Sequence, residues 1–126
     1  MNLKAVVVDD DKNNLLLIEE MAASSGLEVK GFLYPDIALD YIRNNDVDVV
    51  LTDFRMPKMD GLTLAREIRK TCAAIPVIMI TAEWDDPLLN KTAVDSGVDR
   101  ILSKPISYGE FKVKITEAIQ DMRNKL

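Results

Sequence analysis

A chain of 126 residues with 48% apolar and 29% charged side chains has ordinary globular composition and enough length to bury a core in one domain spanning 1–126. The net charge of −5 argues against direct nucleic acid binding, which wants clustered Lys and Arg, and the complete lack of histidine removes imidazole catalysis, histidine metal sites and a phosphohistidine-carrier role. The lone Cys72 cannot pair internally, no apolar run reaches the ~18 residues of a membrane helix, and "AVVV" meets acid at once, so no signal peptide is expected; the reading is cytoplasmic, with no membrane partner.

Two hydrophobic periods alternate along the chain. "LKAVVV" (3–8) is a short apolar, β-branched run and predicts a strand. "KNNLLLIEEMAASS" (12–25) predicts a helix with Leu17, Ile18, Met21 and Ala22 on its buried face and Gly26 as its stop. Leu15 and Leu16 then add apolar surface beside that face. "LEVKGF" (27–32) alternates as a half-buried strand, and "PDIALDYIRNN" (35–45) opens with a proline suited to a first helical turn.

"VDVVLT" (47–52) is the third strand, and "GLTLAREIRKTC" (61–72) a helix with Leu64, Ala65, Ile68 and Cys72 along one stripe. "PVIMIT" (76–81) predicts a central strand, with Pro76 tolerated at its first position. "DPLLNKTAVDS" (86–96) is a helix ended by Gly97, and "VDRILS" (98–103) the fifth strand. Ser107 with Glu110 forms a capping box opening a last helix, whose stripe is Phe111, Ile115, Ala118, Ile119 and Met122.

Five strands, each followed by a helix, imply parallel pairing by right-handed crossovers with helices on both faces: an α/β, doubly wound five-stranded parallel sheet. Ligands of such sheets sit beyond the carboxyl ends of the strands. Those ends carry Asp9, Asp10 and Asp11 after the first strand, Asp53 after the third, Thr81 after the fourth, and Lys104-Pro105 after the fifth. Taken singly, each has a plain explanation: a solvated helix start, a turn residue, a cap or a surface charge. Together they make a crevice where crowded carboxylates must protonate or recruit a cation, and oxygen-only donors favour a hard ion such as Mg²⁺.

The motifs "VVDD" (7–10), "TDFRMPKMDG" (52–61), "ITA" (80–82) and "KP" (104–105) resemble those of the receiver domain of bacterial two-component response regulators, and the likeness spans the whole chain. The resemblance implies the flavodoxin-like strand order 2-1-3-4-5. It also implies that Asp53 accepts a phosphoryl group from a partner histidine kinase or histidine phosphotransfer protein. Mg²⁺ is then held by Asp10, Asp53 and the Arg55 backbone carbonyl, with Asp9 contacting it through water. Thr81 and Lys104 meet the phosphoryl oxygens, and the face of helix four, strand five and helix five carries the signal to a downstream protein target or a phosphorylation-dependent homodimer. The domain would catalyse its own phosphorylation and dephosphorylation without being a conventional enzyme.

Several positions depart from the family pattern or stand out within it. Ile101 occupies the place of an aromatic rotamer switch, and Ile106 that of a common phenylalanine. Arg55 and Glu83, each two residues beyond a site residue and opposite in charge, are expected to pair as a lid over the site. Trp84 is a packing residue at the entrance of helix four or a partner contact. Alternatives are a phosphorelay intermediate without its own output and a Mg²⁺-dependent phosphatase with an Asp nucleophile. The phosphatase calls for an acid where Arg55 stands. A flavin or nucleotide binder is disfavoured because acids, and no glycine-rich loop, follow the first strand.

Overall fold

Strands and helices alternate without exception: β1 (Lys4–Val8), α1 (Lys12–Ser24), β2 (Glu28–Phe32), α2 (Pro35–Asn44), β3 (Val49–Asp53), α3 (Gly61–Thr71), β4 (Val77–Thr81), α4 (Pro87–Asp95), β5 (Arg100–Ser103) and α5 (Tyr108–Asn124). The structure, a computed structural model, describes residues 2–72 and 74–125. All neighbouring strands run parallel, in the order β2-β1-β3-β4-β5 expected from the resemblance.

Successive strand side chains point to opposite faces, so each apolar strand feeds two core layers. Val6, Val8, Val50, Val77 and Met79 pack under α2, α3 and α4 with Leu39, Leu64, Ile68 and Leu89. Val7, Leu51, Ile78 and Ile80 pack under α1 and α5 with Ile18, Phe111 and Ile115. Every residue of β4 is buried, which explains its continuous apolar run. Each fully buried Ile, Leu, Val or Phe contributes about 1.5–3 kcal/mol relative to exposure.

The helix boundaries follow their caps. Asp11, Asp60 and Asp86 each accept backbone N–H bonds at the starts of α1, α3 and α4, and Ser107 accepts one from Glu110 at 3.5 Å. In α1 the expected face is corrected: Leu15 is buried and Leu17 is 49% exposed. Leu15, Ile18 and Ala22 lie at helical spacing on one side, which turns Leu17 outward beside Leu16. Cys72 ends α3 as its cap and is half-buried against the α2–α4 layer.

At the amino end of the sheet, Arg69 of α3 donates to the carbonyls of Ile75 (2.5 Å) and Gly97 (2.7 Å) and pairs with Asp99 (2.5 Å). Asp99 in turn accepts the Val77 N–H at 2.8 Å. This network ties α3 to the starts of β4 and β5.

The register levels the opposite rim. Val8 is paired with Thr52, Asp53 with Ile80, and Thr81 with Ser103. Asp9, Asp53, Thr81 and Lys104 therefore leave neighbouring strands at nearly the same height.

Candidate functional site

The three acids of "DDD" separate into three environments. Asp9 is wholly buried, with its N–H donating to Phe32 O (3.1 Å) and its Oδ1 accepting from Asp11 N–H (2.9 Å). Asp10 is exposed at the rim. Asp11 turns away, and its Oδ1 accepts from the N–H groups of Asn13 (2.9 Å) and Asn14 (3.1 Å) as the cap of α1.

Asp53 stands half-buried at the end of β3. Carboxylate oxygens of Asp9, Asp10 and Asp53 lie within 4.8 Å of one another. Lys104 Nζ is 3.4 Å from Asp9 Oδ2 and 3.3 Å from Asp53 Oδ1, bridging two of the acids. Two carboxylates at such distances repel by roughly 4 kcal/mol at an effective dielectric near 20, and one ammonium cannot neutralise three of them. Burial pushes the Asp9 carboxyl above its ordinary value. The Asp11 N–H opposes that shift, the Asp53 charge adds to it, and Lys104 opposes it. A small pocket of oxygen donors with surplus negative charge suits a hard divalent cation.

The loop after β3 is held at several points. Phe54 N–H donates to Asp53 Oδ1 at 2.8 Å, and the Thr52 hydroxyl donates to Asp53 O at 2.9 Å. Gly61 N–H closes the loop onto Phe54 O at 2.8 Å. A Cβ on Gly61 would sit 2.3 Å from the Asp53 carbonyl oxygen, so only glycine lets α3 start this close to β3. Lys58 takes a left-handed conformation at φ 70° to make the turn. Asp60 caps α3 through Thr63 N–H (2.8 Å) and is not part of the acid pocket.

Thr81 ends β4, buried. Its hydroxyl accepts from Glu83 N–H (3.1 Å), and its carbonyl accepts from Lys104 N–H (3.1 Å). The Lys104–Pro105 peptide is cis. Arg55 and Glu83 form the expected pair, Nε to Oε2 at 2.5 Å and NH2 to Oε1 at 2.7 Å, while the guanidinium lies 4.8 Å from the centre of the Phe54 ring. The pairing raises the Arg55 pKa and lowers that of Glu83.

Trp84 is 50% exposed, and its backbone carbonyl accepts from Asn90 Nδ2 at 2.9 Å. Ile101 is half-buried against the α2–α4 layer, and Ile106 against the α1–α5 layer. The sequence reading passed over Thr52. Its one signal is a polar residue after an apolar run and directly before Asp53, at a position the structure shows to be 1% exposed.

A family model described as the response regulator receiver domain matches residues 5–116. The chain belongs to the response regulator receiver family. As a receiver it is 38% identical over 96 residues to the cyclic di-GMP phosphodiesterase response regulator RpfG of Xanthomonas campestris, an alignment covering 75% of this chain and 25% of RpfG. The receiver spans 25% to 44% of the length of the first curated relatives it matches. A CheY-like receiver from Methanospirillum hungatei superposes over 100% of both chains with a TM-score of 0.91 at 22% identity, a likeness of fold. The receiver domain of a sensor histidine kinase from Pseudomonas aeruginosa, solved with a magnesium ion coordinated in its active site cleft, superposes with a TM-score of 0.86 at 25% identity. That match covers 95% of this chain and 99% of the other. Receiver domains bind Mg²⁺ at their acidic site and partner with histidine kinases and phosphotransfer proteins. Among the described residues no helix is long and apolar enough to cross a membrane.

Proposed function

We propose that Asp53 is the phosphoacceptor of this receiver. The observation that carries the reading is the position of Lys104, whose ammonium sits between the carboxylates of Asp9 and Asp53 at 3.4 and 3.3 Å. A carboxylate oxygen of Asp53 attacks the phosphorus of a phosphohistidine on a partner histidine kinase or histidine phosphotransfer protein. The O–P bond forms as the P–N bond breaks, and the imidazole nitrogen leaves with the electron pair. Phosphoryl transfer needs positioning and charge neutralisation more than covalent chemistry, and the side chains here supply both. Lys104 meets one phosphoryl oxygen, the Thr81 hydroxyl another, and the backbone N–H groups after Asp53 supply further donors.

Asp10, Asp53 and the Arg55 backbone carbonyl would hold Mg²⁺ directly, with Asp9 reaching it through water. The bound ion would neutralise charge on the incoming phosphoryl group.

Thr81 moving toward the new phosphoryl group shifts the loop carrying Glu83 and Trp84, and with it the face of α4, β5 and α5. That change is a population shift between two packings, driven by differential contacts to the phosphoryl group. With Ile101 at the switch position, aliphatic packing and backbone carry the change in place of an aromatic rotamer. The output is a downstream protein target, an output domain or a homodimer; the net charge of −5 speaks against direct nucleic acid contact by this domain. Leu16 and Leu17, both about half exposed on α1, offer apolar contact to the phosphodonor protein. We place residues 1–126 as one receiver domain in the cytoplasm, where histidine kinases present their phosphohistidine.

The test is incubation with Mg²⁺ and acetyl phosphate followed by mass spectrometry. One phosphoryl group is expected on the wild type and none on Asp53→Asn, with a change in Trp84 emission only for the wild type. No added phosphate at saturating donor would sink the reading.

A further inference from the structure

The peptide unit joining Asp53 to Phe54 is held at both ends by side chains. Its carbonyl oxygen accepts from the Thr52 hydroxyl at 2.9 Å, and its N–H donates to Asp53 Oδ1 at 2.8 Å. Thr52 itself is 1% exposed, directly beside Val8 of β1 across the sheet. A buried hydroxyl that spends its proton on a neighbouring backbone carbonyl fixes the rotation of that peptide plane. That rotation decides where the Phe54 N–H points.

We propose that Thr52 is a positioning residue for phosphoryl transfer, acting through the Asp53–Phe54 peptide on the phosphoacceptor carboxylate. The inference rests on Asp53 being the phosphoacceptor. The Thr52 hydroxyl holds the carbonyl toward α3, where Gly61 leaves room for it, since a Cβ there would lie 2.3 Å from the same oxygen. The opposite end of the plane then directs the Phe54 N–H onto Oδ1, the oxygen that Lys104 also approaches at 3.3 Å. Two donors converge on Oδ1, so the two carboxylate oxygens are inequivalent and the side chain is locked in one rotamer before any donor arrives. A nucleophile fixed in this way loses little freedom on reaching the transition state.

Two matched pairs isolate the hydroxyl. Thr52→Val differs from the wild type by the hydroxyl at nearly constant volume, and Thr52→Ala differs from Thr52→Ser by the hydroxyl alone. The readouts are the Mg²⁺-dependent rate of phosphorylation at saturating acetyl phosphate, the Phe54 amide resonance in a ¹H–¹⁵N spectrum, and the melting temperature. Within each pair the hydroxyl-free protein is expected to react about tenfold more slowly at saturation, with a shifted Phe54 amide. Thr52→Ser is expected to keep most of the wild-type rate. Lower melting temperatures with unchanged saturating rates and an unmoved Phe54 amide would make Thr52 purely structural and overturn the proposal. A wild type that itself gains no phosphate overturns the phosphoacceptor reading, and this inference with it; a reactive wild type matched by its hydroxyl-free variants overturns this inference alone.

Discussion

Arg55 and Glu83 form a two-pronged ion pair that joins the loop after β3 to the loop after β4 at 2.5 and 2.7 Å. Both side chains are solvent-accessible, so the pair adds little to stability. Because each partner lies two residues beyond a site residue, Asp53 or Thr81, the pair is expected to overhang the phosphoryl group and act as a barrier to attacking water. The doubly substituted Arg55→Ala, Glu83→Ala protein should lose its acyl phosphate several-fold faster than the wild type while melting within a few degrees of it. Salt that screens the pair should quicken wild-type hydrolysis in the same direction. Equal phosphoryl lifetimes for the two proteins would remove the lid.

The buried Asp9 carboxyl has a direct consequence for stability. Its folded pKa is raised above its ordinary 3.8, chiefly by burial. A raised acid costs nothing below its unfolded pKa and its full penalty once pH passes the folded value. Without divalent cation, Asp9→Asn should therefore melt higher than the wild type at pH 7, by about a few degrees, and the gap should close as pH falls toward 4. Added Mg²⁺ should raise the wild-type melting temperature and raise that of Asp9→Asn by less, since the variant keeps Asp10, Asp53 and the Arg55 carbonyl but loses one negative charge. Thermal scans over pH, with and without Mg²⁺, check both; a lower Asp9→Asn melting temperature at pH 7 would contradict the burial argument.

Gly61→Ala forces a methyl to within 2.3 Å of the Asp53 carbonyl, a backbone atom that cannot rotate aside. Overpacking of this kind costs about 1–3 kcal/mol. The start of α3 must move, and the Asp53 loop with it. Urea denaturation should show the loss, and phosphorylation from acetyl phosphate should slow. A fully reactive, fully stable Gly61→Ala protein would show that the loop accommodates the methyl.

Lys58 sits at φ 70°, where an L-residue costs roughly 1–2 kcal/mol and glycine does not. Lys58→Gly should stabilise the fold by several tenths of a kcal/mol to about 1, part of the relief being offset by a freer unfolded chain. Chemical denaturation measures it. The side chain is exposed, so a destabilised variant would mean that the turn needs the Lys58 stem.

Arg69→Met removes the guanidinium that holds Ile75 O, Gly97 O and Asp99 together. Leaving a largely buried carboxylate without its partner costs about 3 kcal/mol or more. Asp99 keeps the Val77 N–H, so the loss should be partial. Pairing the change with Asp99→Leu in a double-mutant cycle should recover much of it, whereas additive losses would place the cost elsewhere.

Local order and composition were enough for much of this protein. Short, mostly continuous apolar runs against period-3.6 stripes set out all ten elements to within a residue or two, because a strand buried on both faces or a helix buried on one must carry that pattern along its length. The acids, Thr81 and Lys104 could be assigned to one rim because an alternating parallel sheet sends every strand's carboxyl end the same way. The opposite charges of Arg55 and Glu83 foretold their pairing by the same logic. What needed the tertiary structure was the division of labour among identical residues. Asp9, Asp10 and Asp11 read alike in sequence, but only the register of β1 against β2 and β3 buries the first, and only the entry angle of α1 turns the third into a cap. Three successive leucines in α1 offer no phase of their own, so docking against the sheet chose Leu15 over Leu17. The closeness of Gly61 to Asp53 exists because β3 and α3 converge; a linear pattern records spacing along the chain and carries no information on how near two backbones come in space.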